Sequence, residues 1–339
     1  MSHRRLVALV ATLTLAAVTA STSAVSAAPG RATDVRLNLV AYSTPREAYG
    51  KLVSLFQKTP EGDGVSFTQS YGASGDQARA VKAGLKADIV ALSLAPDVDE
   101  LVAAGIVDTK WSKQSYKGMV TDSVVVFMVR DGNPKKIRGW NDLLRPGIEI
   151  VTPNPFTSGG ARWNVMAAYG AWRKAGKTDK QASANLLRLF QNVVVQDTSA
   201  RNSLNTFLSG KGDVLLGYEN EAIFANLKGQ NVPYVIPRST ILIENPVAVT
   251  KTSESKQKAN QFLRFLRTPA AQQVFADSGY RPVVRRVLEK NRKKFPARPG
   301  EFTIDQLGLG GWKKVQKRFF DPKTGIMAGI ERQVGGVTG

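Results

Sequence analysis

The sequence predicts an α/β fold built on mainly parallel sheets, and three observations carry that expectation. Short apolar runs such as "VRLNLVAY", "ADIVALSL" and "VLLGY" alternate with longer amphipathic stretches. Strands that alternate with helices are the units of a parallel sheet covered on both faces. A chain of 339 residues, 42% hydrophobic, is long enough for two lobes of ordinary domain size. Four strand-to-helix junctions also carry hydroxyl residues or glycine: Ser43-Thr44, Ser74-Gly75, Ser158-Gly159-Gly160 and Ser199-Ala200. Open α/β sheets bind ligands at that end of their strands, where helices begin.

In chain order, Arg4 and Arg5 precede an apolar run from Leu6 to Val18, and small residues follow to Val25-Ser26-Ala27. This is the pattern of a secretory signal over residues 1–27, cleaved near Ala27; the run is too short and Thr-rich to span a bilayer comfortably. Val35–Tyr42 reads as a strand, and "STPREAYGKLVSLFQK" as a helix with Ser43 or Thr44 as cap and Pro45 at its first position. A strand at Val65–Ser70, the turn "YGASG" and a helix from about Asp76 to Ala83 come next. "ADIVALSL" and "PDVDELVAAG" repeat the strand–helix unit. Ser123–Val129 is an apolar strand, and "IEIVTPNP" is another that leads into a helix over Ala161–Lys174. "NVVVQDTSARNSLNTFLSGKGD" supplies strand, Ser-rich turn and helix; "VLLGY" and "ENEAIFANLKG" supply strand and helix; "PYVIP" and "TILIENPVAVT" are strands. The last third is mainly helical.

Composition removes several classes of function. There is no cysteine, so stability must come from the core, and no thiol is present to carry a lipid anchor. The one histidine is His3, inside the signal. Ser-His-Asp and Cys-His catalysis and the usual zinc ligand sets are therefore not expected, nor is any cofactor. No phosphate loop or dinucleotide glycine motif follows a strand. Net charge is +20, or +18 without Arg4 and Arg5, which favours anionic partners. The densest basic stretch, Arg281–Arg298, has few aromatics for base stacking and reads as a solvated face. Nucleic acid is not an expected partner.

The most informative stretch is "NPFTSGGARWN", Asn154–Asn164. Backbone N–H groups at a helix start have no partner within the helix, and glycines let a ligand approach them. One such motif reads as readily as a capped helix after a turn. Four junctions of this kind in one chain favour helix N-termini converging on an anion.

On these residues the chain resembles the sulfate-binding proteins that feed ABC transporters. The resemblance rests on "SYGASGDQA", "ADIVALSLAPDVD", "GNPKKIRGWNDLLRPGIEIVTPNPFTSGGARWN", "GDVLLGYENEA" and "FTIDQLGLGGW". It implies a two-lobed periplasmic binding protein-like fold of type II, with the ligand in the cleft. Lobe I would comprise residues 31–125 and 243–339, and lobe II residues 126–242, with crossings near Val124–Val129 and Ile241–Val249. It also implies an exported, monomeric capture protein that hands sulfate to a permease and is not an enzyme. Carried over by position, the sulfate donors are backbone N–H groups at Ser43, Ser74, Gly159, Gly160 and Ala200, the Ser158 hydroxyl and the Tyr218 side chain. Arg162 and Arg201 would brace the site from behind. The family usually has Asp at position 43, Lys at 76 and Trp at 218; here stand Ser43, Asp76 and Tyr218. Thiosulfate and molybdate are alternative ligands. An exported ester hydrolase using "ENE", Glu219–Glu221, is a more distant reading.

Overall fold

The computed structural model describes residues 34–338; the expected signal, residues 1–27, lies outside them. Val35–Tyr42 (β1), Arg46–Phe56 (α1), Val65–Gly72 (β2), Ser74–Lys82 (α2), Ile89–Ala91 (β3) and Ala95–Ala103 (α3) form the first α/β series. Met119–Val129 (β4) leads into the second. That series contains Ile150–Pro153 (β5), Gly159–Lys174 (α4), Asp179–Gln191 (α5), Val193–Asp197 (β6), Ala200–Leu208 (α6), Val214–Tyr218 (β7), Glu219–Leu227 (α7) and Tyr234–Val235 (β8). Thr240–Val249 (β9) returns. Lys256–Leu266 (α8), Pro269–Asp277 (α9), Arg281–Pro282 (β10), Arg285–Lys290 (α10), Glu301–Phe302 (β11), Gly311–Phe320 (α11) and Ile326–Val334 (α12) complete the chain. Among the described residues no helix is long and apolar enough to cross a membrane.

The main strands follow the order β2-β1-β3-β9-β4-β7-β5-β6. β1 is parallel to β2 and β3, and β5 is parallel to β6 and β7. These two parallel groups belong to two lobes, and β4 and β9 tie them together. Residues of β4 up to Val124 pair antiparallel with β9 between Leu242 and Pro246, whereas Val125–Val129 pair with β7. β9 in turn pairs β3 over Val247–Val249. Each long strand thus changes partners along its length and runs from one lobe into the other.

Both faces of each sheet are covered, as parallel α/β units require. In the first lobe Leu37, Leu39 and Ile89 pack with Leu52, Phe56 and Phe262, and Val40, Val90 and Leu92 with Val98, Leu101 and Trp111 on the opposite face. In β4 the side-chain alternation of a strand sends Val124, Val126 and Met128 to one core and Val125, Phe127 and Val129 to another. α1 shows why these segments are helical. Its buried residues Tyr49, Leu52, Val53 and Phe56 recur at helical spacing on one stripe.

The C-terminal helices pack over α4: Phe302, Val315, Phe319, Met327 and Ile330 are buried in one core with Trp163, Tyr169 and Leu186. The reason lies in α4, which is buried at every residue from Gly159 to Trp172. A helix buried on every face, Arg162 and Asn164 included, needs cover on all sides, and the far end of the chain supplies it. Phe319 meets Tyr169 edge-on with ring centroids 4.7 Å apart, and Trp312 meets Trp163 at the same distance. Gly170 makes room for this cover, since a Cβ there would lie 2.4 Å from the Phe302 ring.

Truncating Phe319 to Ala should therefore cost about 3–5 kcal/mol, the range for a fully buried phenylalanine. Urea unfolding with an unchanged m-value checks this, and a loss under about 1 kcal/mol would mean the C-terminal helices contribute little to the core.

Candidate functional site

Several helices start at the cleft without a side chain to cap them. α1, α2, α4 and α7 have no side-chain cap bond. α2 and α4 begin at Ser74 and Gly159, two residues earlier than the sequence suggests. That shift brings Ser74, Gly159 and Gly160 into the first turn, where N–H groups point along the helix axis without intrahelical partners. No carbonyl or side chain of the protein accepts from the N–H groups of Ser74, Gly159, Gly160 or Ala200 among the described residues. Ser158 stands at the N-cap of α4 in extended conformation, and its hydroxyl does not cap that helix. Ser199 behaves differently: its side chain accepts from Asn202 N–H at 3.2 Å, as an ordinary cap does.

These groups face one small space. A Cβ added to Gly160 would lie 3.3 Å from Ser158 Oγ, 3.4 Å from Ala200 Cβ and 3.5 Å from Tyr218 Cε1. The second lobe therefore brings Ser158, Gly160, Ala200 and Tyr218 together. The first lobe approaches through α2: Gly75 N–H donates to Thr157 O at 3.0 Å, immediately before the motif. Ser43 lines a cavity of about 420 Å³ that Ser199 and Arg201 also line, which puts it at the mouth. Gly159 is glycine for a reason the sequence did not disclose. A Cβ there would sit 2.2 Å from Leu94 Cδ2 and 2.8 Å from Ser93 Cβ, so it is the opposite lobe that excludes a side chain.

Ser93 is the residue the sequence reading missed. It lies in the stretch "ADIVALSLAPDVD" but was given no role, yet every polar atom it has is engaged. Its N–H donates to Ser74 Oγ at 2.9 Å, and its carbonyl accepts from Trp163 Nε1 and Asn245 Nδ2, both at 2.9 Å. Its hydroxyl lies 2.6 Å from the Tyr218 hydroxyl. Tyr218 thus borders the cradle with its ring edge while its hydroxyl makes a bond across the cleft. Burial pushes the Tyr218 phenol well above its ordinary pKa, so it remains protonated.

Both arginines also bridge the lobes; Arg162 is buried and Arg201 partly so. Arg162 donates to Asp97 Oδ1 at 3.0 Å and to Pro155 O at 2.9 Å. Asp97 accepts from Ser74 Oγ at 2.5 Å through its other oxygen, and burial raises its pKa against the opposing pull of Arg162 and Ser74. Arg201 donates to Glu221 and Glu47 at 2.8 Å each and to Thr44 O at 2.9 Å, with its guanidinium over the Phe224 ring. Neither Asp97 nor Glu47 could be paired with its arginine from sequence, because 65 and 154 residues separate them. Asp76, the acid in the first turn of α2, pairs with Arg79 one turn on, which offsets its charge at the helix start. The "ENE" acids are engaged as well: Glu219 bonds Arg281 at 2.7 Å and Glu221 bonds Arg201.

The model of the bacterial extracellular solute-binding protein family matches residues 37–281. The chain belongs to that family. It is 38% identical to the sulfate-binding protein of Synechocystis, with 96% of each chain covered. It is 36% identical to the thiosulfate-binding protein of Escherichia coli, over 82% of this chain and 86% of that one. Among solved structures it is similar to the sulfate-binding protein SubI of Mycobacterium tuberculosis, with a TM-score of 0.82, 41% identity and 85% and 100% of the two chains covered. The α/β architecture of this solute-binding protein is thus shared with a relative over 85% of the chain.

The two interlobe ion pairs differ in burial, and that decides their worth. Glu47 is one-third exposed, and Glu47→Gln leaves Arg201 with Glu221, so the loss should not exceed about 1 kcal/mol. Asp97 is buried, and Asp97→Asn leaves Arg162 without a counter-charge, at about 3–5 kcal/mol. Equal losses in urea unfolding would show that burial does not govern these pairs.

Proposed function

We propose that the cleft captures sulfate through donors alone and that this protein presents it, outside the cell, to the permease of an ABC transporter. One observation carries the reading: the N–H groups of Gly159, Gly160 and Ala200 lack protein acceptors, and Ser158, Ala200 and Tyr218 lie around Gly160. Sulfate is fully ionised near neutral pH and offers only acceptors. The names of the relatives support the same ligand class. Hydrogen bonds to a charged group contribute roughly 1.5–3 kcal/mol each. A micromolar site needs about 8 kcal/mol, so a ring of six or seven donors suffices after desolvation and closure. The positive ends of the helices add to this without any counter-cation.

Phosphate is a poorer fit. It carries a proton near neutral pH and needs an acceptor, whereas Asp97 and Glu221 are already bonded to Arg162 and Arg201. Thiosulfate suits the same donors, in keeping with the thiosulfate-binding relative, and molybdate remains a further candidate. A hydrolase reading would require a carboxylate able to activate water, and Glu219 and Glu221 are both held by arginines. The cross-cleft bonds of Ser93, Arg162 and Arg201 support a closed form that an anion completes, shifting an open–closed equilibrium.

Calorimetry against sulfate, thiosulfate, molybdate and phosphate tests the proposal directly. Sulfate should bind and phosphate should bind far more weakly; comparable affinities would sink it. Ser158→Ala should weaken sulfate about ten- to a hundredfold, by the loss of one charge-assisted bond. Gly160→Val should be worse, because the new side chain enters the space bounded by Ser158, Ala200 and Tyr218. Tyr218→Phe and Ser93→Ala separate two roles for the phenol. If it acts through the cross-cleft bond, each single variant should weaken sulfate by a similar factor and the double variant by little more. If it donates to the anion, Tyr218→Phe alone should carry the loss.

A further inference from the structure

The basic stretch singled out from the sequence forms a surface that the cleft does not use. Residues 285–298, "RRVLEKNRKKFPAR", hold seven basic residues and one acid, a net charge of +6. Val287 and Phe295 are buried and fix the segment to the body, so the backbone of this patch is firmly placed. Arg285, Arg286, Lys290, Arg292, Lys293 and Lys294 are all exposed. Glu289, the single acid, pairs with Arg285, and Lys294 donates to Ala276 O. Arg286, Lys290, Arg292 and Lys293, four cations within eight positions, have no carboxylate within ion-pair distance among the described residues. Their mutual repulsion is a standing cost that an external polyanion would relieve.

We propose that this patch rests on a bilayer of anionic phospholipid. Three features favour that partner. The cations crowd onto one helical turn and the loop after it, a compact footprint suited to a plane of headgroups. The segment's one aromatic ring, Phe295, is buried, so nothing is offered for base stacking, which argues against single-stranded nucleic acid. The setting rests on the transport reading above, since a protein that serves a permease works beside the membrane that holds it. Each Lys or Arg near an anionic surface multiplies partitioning by roughly fivefold, and the attraction decays within a Debye length. Held in this way, the protein would be concentrated near its permease and released by salt.

The test is co-sedimentation of the protein with phosphatidylcholine vesicles containing about one-third phosphatidylglycerol, at low and high salt, with pure phosphatidylcholine as reference. The wild type should bind the anionic vesicles at low salt and release them at high salt. The variant R286S/K290S/R292S/K293S should lose roughly several hundredfold in partitioning. A charge-matched control, K177S/K180S/K211S/K228S, removes four exposed lysines elsewhere and should lose far less. Equal losses in the two variants would assign the binding to net charge alone and overturn the patch. So would absence of wild-type binding, or tighter binding to duplex RNA than to the vesicles at matched salt. Sulfate calorimetry on the same patch variant should be unchanged, which separates failure of this proposal from failure of the cleft.

Discussion

The site depends on a restraint: the protein must leave polar backbone groups unpaired in a nearly closed cleft. Buried N–H groups are ordinarily bonded, and each one left without a partner carries a desolvation cost of about 1–3 kcal/mol. The N–H groups of Ser74, Gly159, Gly160 and Ala200 escape that rule because helix geometry deprives them of internal acceptors and glycine offers no side chain to substitute. Everything around them keeps other acceptors away. Asp97, Glu221 and Glu47, the acids best placed to intrude, are each held by an arginine. The arginines therefore act chiefly by occupying carboxylates, and the cradle remains free of negative charge.

Closure and binding share the same atoms. Ser74 belongs to the cradle through its N–H and to the interlobe network through its hydroxyl, which receives from Ser93 and donates to Asp97. Tyr218 has the same double position, with its ring edge near Gly160 and its hydroxyl against Ser93. A ligand that orders one function orders the other. This coupling requires no long pathway, because the groups are adjacent and each has only two arrangements, joined across the cleft or parted.

Most strands and helices of the first three-quarters were legible in the sequence, because each alternates apolar strand with amphipathic helix and is punctuated by glycine or serine. The start of α4 was misjudged by two residues, since glycine scores poorly as a helix former even where a helix start needs it. The resemblance proposed the cradle residues, and of them the fold brings Ser158, Gly160, Ala200 and Tyr218 into one space. What could not be read were partners at long range. Ser93 and Asp97 lie in a quoted stretch whose contacts are not local, Glu47 pairs with an arginine 154 residues away, and α11 gives no local sign that it covers α4. Contacts of this kind are properties of topology, to which periodicity is blind.

The placement of α11 and α12 bears on how the chain is made. Trp163 and Tyr169 are in place once α4 has formed, but Trp312, Phe319 and Phe320 are the last aromatic rings to be synthesised. Until they arrive, an emerging chain exposes the face of α4 that they cover. Domains ordinarily fold as they leave the ribosome, N-terminal first; here the second lobe cannot. A core closed by its latest helices leaves the nascent chain open to chaperones for most of its synthesis.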